Sequence, residues 1–147
     1  MIVAVLHGVN LNLLGRRDPQ HYGTLSLQGL ETQIYAWARE LGMDARCHQT
    51  NHEGEFVEHI QEAQEWASAV ILNPGAWTHY AYSIRDAVDY LTIPAVEVHL
   101  SDIQQRERFR RFSVLEEVAE HRVVGKGPDG YRLALEWIRS TKENDAR

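Results

Sequence analysis

Apolar runs alternate with amphipathic segments along the whole chain. The run from Ile2 to Leu6 is continuously apolar, the pattern of a strand buried on both faces of a parallel sheet. A polar stretch follows from His7 to about Thr24, punctuated by Gly8, Gly15, Pro19 and Gly23. A loop of this length inside a compact chain usually serves function. From Ser26 the pattern turns helical: Leu27, Leu30, Ile34, Ala38 and Leu41 recur on one face, and Gly42 supplies the stop. Asp44 to Gln49 reads as a more polar edge strand. Glu55 to Ala67 reads as a helix with Phe56, Ile60, Ala63 and Ala67 on one face. Ala69 to Leu72 is a second buried strand, ended by the turn residues Asn73, Pro74 and Gly75. A helix from Tyr80 to Leu91 and a strand from Pro94 to Val98 come next. An arginine-rich segment, Arg106 to Arg111, precedes a short strand from His121 to Val124. Gly125, Gly127 and Gly130 turn the chain into a last helix, Tyr131 to Thr141.

This order, strand then helix repeated about five times, predicts an α/β fold with one domain over 1–147 and a flexible polar tail over 140–147. Five parallel strands with right-handed crossovers point to a flavodoxin-like, doubly wound sheet of order 2-1-3-4-5, with helices on both faces. Such sheets bind ligands beyond the carboxyl ends of their strands, where the strand order reverses. That rule selects Asn10 after the first strand, Asn73 to His79 after the third, and Glu97 to Ser101 at the end of the fourth. These groups should converge on one crevice.

Composition narrows the picture. Apolar residues are 44% and charged residues 24%, ordinary for a globular chain. A net charge of −6 argues against a nucleic-acid partner, and no apolar stretch approaches the ~20 residues that cross a bilayer. The short apolar start lacks the basic flank of a signal peptide, so a cytoplasmic location is expected. Cys47 is the one cysteine, which excludes an intrachain disulfide and a four-thiolate zinc site. Lys126 and Lys142 are the only lysines, and the remaining cations are arginines, which suit bidentate grip on a carboxylate. A small anionic partner fits this composition.

Four constellations carry candidate chemistry. Arg17 and Tyr22 share the long loop. A phenol titrates at about 10, and a neighbouring guanidinium favours its anion, so the pair suits a base on a lid. The same residues also fit a packed tyrosine beside solvated arginines. Asn73 and His79 flank a tight turn and offer hydrogen bonds to oxygen ligands, or else form a capping turn with Thr78 as N-cap and His79 exposed. Strand alternation puts Glu97 and His99 on the same side, where a carboxylate orients an imidazole as a general acid. A structural ion pair is the alternative. Arg106 and Arg110 are spaced to share a helical face, and an anion or carboxylate between them would relieve their repulsion; a solvated basic helix with intersubunit ion pairs is the other reading. His7, His21, His48, His52, His59 and His121 show no metal-ligand spacing and read as dispersed surface residues. The glycines at 125, 127 and 130 lack the following strand and acidic residue of a nucleotide site.

In collinear order, the segments Asn10 to Gly23, Gln49 to Glu55, Leu72 to His79, Arg85 to Ala87, Glu97 to Ser101, Arg106 to Arg110 and Gly125 to Leu135 resemble the type II 3-dehydroquinate dehydratases over nearly the whole chain. The resemblance implies a cofactor-free lyase that removes water from a small anionic cyclic hydroxy-acid through an enolate. Tyr22 would be the base, assisted by Arg17, and Asn10 would stabilise the enolate through a bound water. His99 would protonate the departing hydroxyl, oriented by Glu97. Asn73 and the backbone amides of Leu100 and Ser101 would hold the substrate carboxylate, and His79 and Arg110 its hydroxyls. Arg106 would support the lid, and Asp86 would reach a neighbouring subunit in a dodecamer built as a tetramer of trimers. Val9, Tyr80 and Asp102 depart from the usual residues of that family. A flavodoxin-like module binding a nucleotide or flavin is the competing reading. It expects a Ser-, Thr- and Gly-rich loop after the first strand, where this chain has Asn and Leu followed by Arg16, Arg17, Asp18 and Pro19.

Overall fold

The computed structural model describes residues 1–16 and 24–146. Its centre is a sheet of five parallel strands in the order β2-β1-β3-β4-β5, as the alternation of elements predicts. Strands β3 (Ala69–Asn73) and β4 (Ala95–His99) are buried at every residue, and β1 (Ile2–His7) at all but the first. Strand β2 (Asp44–Gln49) alternates between exposed and half-buried positions, as befits an edge. Strand β5 (His121–Val124) forms the other edge.

A sheet whose middle strands are apolar on both faces must be covered twice. Helices α1 (Leu27–Glu40) and α4 (Asp129–Asp145) lay Leu30, Ile34, Tyr131, Leu135 and Ile138 on Val3, Val5, Ile71, Val96 and Val98. On the other face, α2 (Glu53–Trp66) and α3 (Tyr82–Tyr90) lay Phe56, Ile60, Ile84 and Val88 on Ala4, Leu6, Val70 and Leu72. The Ser26 hydroxyl accepts a hydrogen bond from the Gly29 amide at 3.0 Å and caps α1. Such a cap contributes about 1 kcal/mol. Among the described residues no helix is long and apolar enough to cross a membrane.

Three features differ from the sequence reading. The last helix runs on to Asp145, so the expected flexible tail is helical up to that residue. No Gly or Pro follows Gly130 in it, and Arg139 pairs with Glu143 one turn on at 3.7 Å. The arginine-rich segment is not one α-helix: Arg106 is extended after a short 3-10 turn, Ile103–Gln105, and a second such turn, Arg108–Arg111, follows. His7, expected at the surface, is fully buried under α1 and α4, because β1 carries it inward one residue before the chain turns.

Candidate active site

The exits of β1 and β3 are drawn together by backbone. The Gly8 amide donates to the Asn73 carbonyl at 2.7 Å. A Cβ on Gly8 would stand 2.3 Å from the Pro74 carbonyl oxygen, so only glycine permits the approach. Two residues on, Asn10 adopts the left-handed region at φ 67°, the one described non-glycine residue that does so. Asparagine tolerates that conformation better than other side chains. Its amide donates to Asn51 Oδ1 at 2.8 Å, and Gln49 Nε2 donates to the same oxygen at 3.1 Å and to the Gly8 carbonyl at 3.2 Å. The end of β2 thus holds the Asn10 turn from beneath.

At the end of β3, Asn73 is buried and its Oδ1 accepts from the Gly75 amide at 3.0 Å. The following 3-10 turn, Gly75–His79, delivers two side chains to different places. Thr78 is fully buried and donates to Glu97; it does not cap a helix. His79 Nδ1 lies 2.6 Å from the Phe112 carbonyl, a contact in which the ring nitrogen donates, and Phe109 meets the ring edge-on. Burial lowers the His79 pKa, the Phe112 bond partly opposing it. The ring is therefore a neutral imidazole whose Nε2 can accept.

Strand β4 supplies the densest polar group. Glu97 has no exposed surface. Its Oε2 lies 2.6 Å from His99 Nε2 and 2.7 Å from the Ser113 hydroxyl, and Oε1 accepts from Arg122 Nε at 3.0 Å. Burial by itself would raise the Glu97 pKa. The bonds from His99, Thr78 and Ser113 outweigh it and hold the carboxyl at about 2. Glu97 is therefore a charged anchor whose lone pairs are filled. Its bond to Nε2 fixes the His99 ring, which is 6% exposed and presents its other edge to the crevice.

Beyond β4 the chain passes Leu100 and Ser101, both on the crevice wall. Arg106 Nη1 donates to Ser101 Oγ at 3.3 Å. Glu107 pairs with Arg110 at 2.5 Å and lies 4.0 Å from Arg106, so a carboxylate does stand between the two guanidinia. Arg110 also stacks over Phe109, its guanidinium carbon 4.6 Å from the ring centre. Asp102 turns away: its Oδ1 accepts from the Gln104 amide at 3.0 Å and caps the next turn.

Asn10, Asn73, His79, His99, Leu100, Ser101, Arg106 and Arg110 thus line one crevice at the carboxyl ends of β1, β3 and β4. Glu97 stands behind His99, and Asp86 lies on the exposed side of α3, outside this crevice. Arg17 and Tyr22 lie outside the described residues. Thr78, Ser113 and Arg122 around Glu97, and Gln49 and Asn51 under Asn10, were not singled out as functional from the sequence. Arg122 stands opposite Glu97 in the strand register, which only the paired sheet reveals. Ser113 sits in irregular chain and gives none.

The described lining carries two arginines and two histidines and no carboxylate. In a protein of net charge −6 these arginines give the crevice a local positive character. It combines an oriented imidazole with amide and guanidinium donors, the parts needed to hold an oxyanion and deliver a proton. The family profile described as "Dehydroquinase class II" matches residues 1–139. A 3-dehydroquinate dehydratase of Syntrophotalea carbinolica is 51% identical over 134 residues, 90% of each chain. One of Bacillus subtilis is 43% identical over 143 residues, 97% of each. The crystal structure of a type II dehydroquinase from Propionibacterium acnes superposes with a TM-score of 0.92 at 40% identity, covering 95% of this chain and 96% of the other. With this coverage, and with the crevice placed where the shared topology puts it, the chain belongs to the dehydroquinase class II family.

Proposed function

We propose that this chain is a hydro-lyase that converts 3-dehydroquinate to 3-dehydroshikimate by anti elimination through an enolate. The observation that carries the reading is the His99–Glu97 pair, 2.6 Å apart, opening into the same crevice as Asn10, Asn73, Arg106 and Arg110. Tyr22, with Arg17 beside it in sequence, takes the proton next to the ketone. The electron pair moves onto the ketone oxygen, where Asn10 and a water it holds stabilise the enolate. Collapse of the enolate expels the ring hydroxyl as His99 gives it a proton, and water leaves. Glu97 keeps the imidazole oriented for that transfer. Asn73 and the amides of Leu100 and Ser101 receive the carboxylate. His79 and Arg110 take the ring hydroxyls, and Arg106 braces the lid side. No oxidation state changes, so the scheme needs no cofactor.

A Schiff-base route needs a lysine in the crevice. The chain's two lysines, Lys126 and Lys142, are both on or beside α4 and neither lines it. Asp86, exposed on α3, fits a residue that serves a neighbouring subunit. A homo-dodecamer and a cytoplasmic location belong to this proposal on the family resemblance.

The test is to mix purified, EDTA-treated protein with 3-dehydroquinate and follow the ultraviolet absorbance of the conjugated product. A catalytic rise is expected. A folded protein that gives none would sink the assignment, and a covalent adduct on either lysine after borohydride would replace the enolate route.

A further inference from the structure

On the sheet face covered by α1 and α4, three potential ligands from three elements come together. They are His7 at the end of β1, Cys47 on β2 and Glu31 on α1. One donor atom from each lies within 4.8 Å of the others. The strand register explains half of it: Val5 pairs with Cys47, so His7, two residues on, shares its face diagonally. Helix α1 then lays Glu31 over the pair, with Oε1 3.5 Å from His7 Nε2.

His7 is fully buried, yet neither ring nitrogen has a hydrogen-bond partner among the described residues. Leaving a buried polar group unpaired costs about 1–3 kcal/mol, so such a group ordinarily has an occupant nearby. We propose that His7, Glu31 and Cys47 form a binding site for a thiophilic divalent cation of the zinc class, separate from the crevice at the strand ends.

The chemistry of the three donors agrees. A mixed set of imidazole, carboxylate and thiolate suits zinc or cobalt rather than magnesium or calcium. One carboxylate and one thiolate balance a divalent charge, so the loaded site is neutral, as a largely buried site requires. Burial, with His48 nearby, lowers the His7 pKa to about 4, which leaves a free lone pair at neutral pH. Burial pushes the Cys47 thiol up to about 12, so the ion must displace its proton: the S–H bond breaks, a sulfur–metal bond forms, and the proton goes to solvent. Ligand atoms around a tetrahedral zinc stand about 3.3–3.8 Å apart, given bonds of about 2.0–2.3 Å. The His7–Glu31 pair already meets this. No donor pair is more than 4.8 Å apart, so shifts of roughly 1 Å bring the remaining separations into that range. Three protein ligands leave a fourth position for water.

The experiment uses the full chain stripped with EDTA and titrated with Co²⁺. We expect one ion per chain, a sulfur-to-cobalt charge-transfer band in the near ultraviolet, one proton released per ion, and displacement by Zn²⁺. Because Cys47 is the only cysteine, the band reports this site alone. Glu31→Gln and His7→Gln should each weaken binding by more than about tenfold, the least that loss of even an outer-shell partner costs. Should the His7 variant fail to fold, the wild-type protein still decides: Zn²⁺ should slow the reaction of Cys47 with a disulfide reagent, and EDTA should restore it. Absence of both band and protection would overturn the site. A band whose affinity is unchanged in Glu31→Gln would reduce it to chance ligation by a thiol, which overturns it equally.

Discussion

Glu97 Oε1 accepts from Arg122 Nε at 3.0 Å while Oε2 meets His99 Nε2 at 2.6 Å, so one buried carboxylate ties the edge strand β5 to the imidazole on the crevice wall. Arg122 is not among the residues that line the crevice, but it fixes the group that fixes His99. It is a positioning residue. Arg122→Met keeps the stem and removes the bond. Hydrogen bonds to charged groups contribute about 1.5–3 kcal/mol, less where water reaches them as it does here, so kcat should fall about tenfold with KM nearly unchanged. A raised KM at constant kcat would instead place Arg122 against substrate.

Glu97 also links stability to pH. Its folded carboxyl titrates at about 2 against an ordinary 4.5. The unfolded chain binds the proton first, so the contribution of Glu97 is fully present above about 4.5 and is lost as pH falls towards 2. Glu97→Gln should lose turnover at neutral pH. In urea unfolding, the stability gap between wild type and the variant should narrow from pH 7 to pH 3. A gap that stays constant over that range would show that the carboxylate is not held down in the folded state.

At Asn10 backbone and side chain are separable. Asn10→Gly and Asn10→Ala both remove the side-chain amide and keep the backbone N–H bonded to Asn51, and both should lose activity. They should differ in stability, because alanine at φ 67° costs about 1–2 kcal/mol that glycine does not. Thermal unfolding of the two variants compares them directly. Equal melting temperatures would mean that the left-handed turn relaxes on substitution.

Tyr22→Phe removes the proposed base and leaves a phenyl ring of nearly the same size. Folding by circular dichroism should be unchanged and turnover nearly abolished. Near-normal activity in that variant would move the role of base to another residue.

Much of the fold was legible because burial writes itself into periodicity. The runs at Ile2–Leu6 and Ala69–Leu72 are apolar on consecutive residues, which only a strand covered on both faces explains, and both are central strands. The alternation of strands with amphipathic helices then left few topologies, and the observed order is the predicted one. Ser26 was legible as a helix start from its type and its place before Leu27 and Leu30. The Glu97–His99 pair was legible because two residues along a strand return to the same face.

What the sequence could not determine lies in contacts between residues distant along the chain. Thr78 looked like a helix cap and is instead a donor to Glu97, 19 residues on. Ser113 and Arg122 reach the same carboxylate from a loop and an edge strand. Arg106 and Arg110 face one crevice without sharing a helix, because Glu107 and two 3-10 turns, not helical spacing, set their directions. His7 read as one more polar residue after a strand. Only the packing of α1 and α4 buries it, and only the register of β1 against β2 brings it to Cys47. Local pattern encodes which face of an element avoids water. Which polar groups meet at that face depends on how separate elements are docked, and that is decided by the tertiary structure.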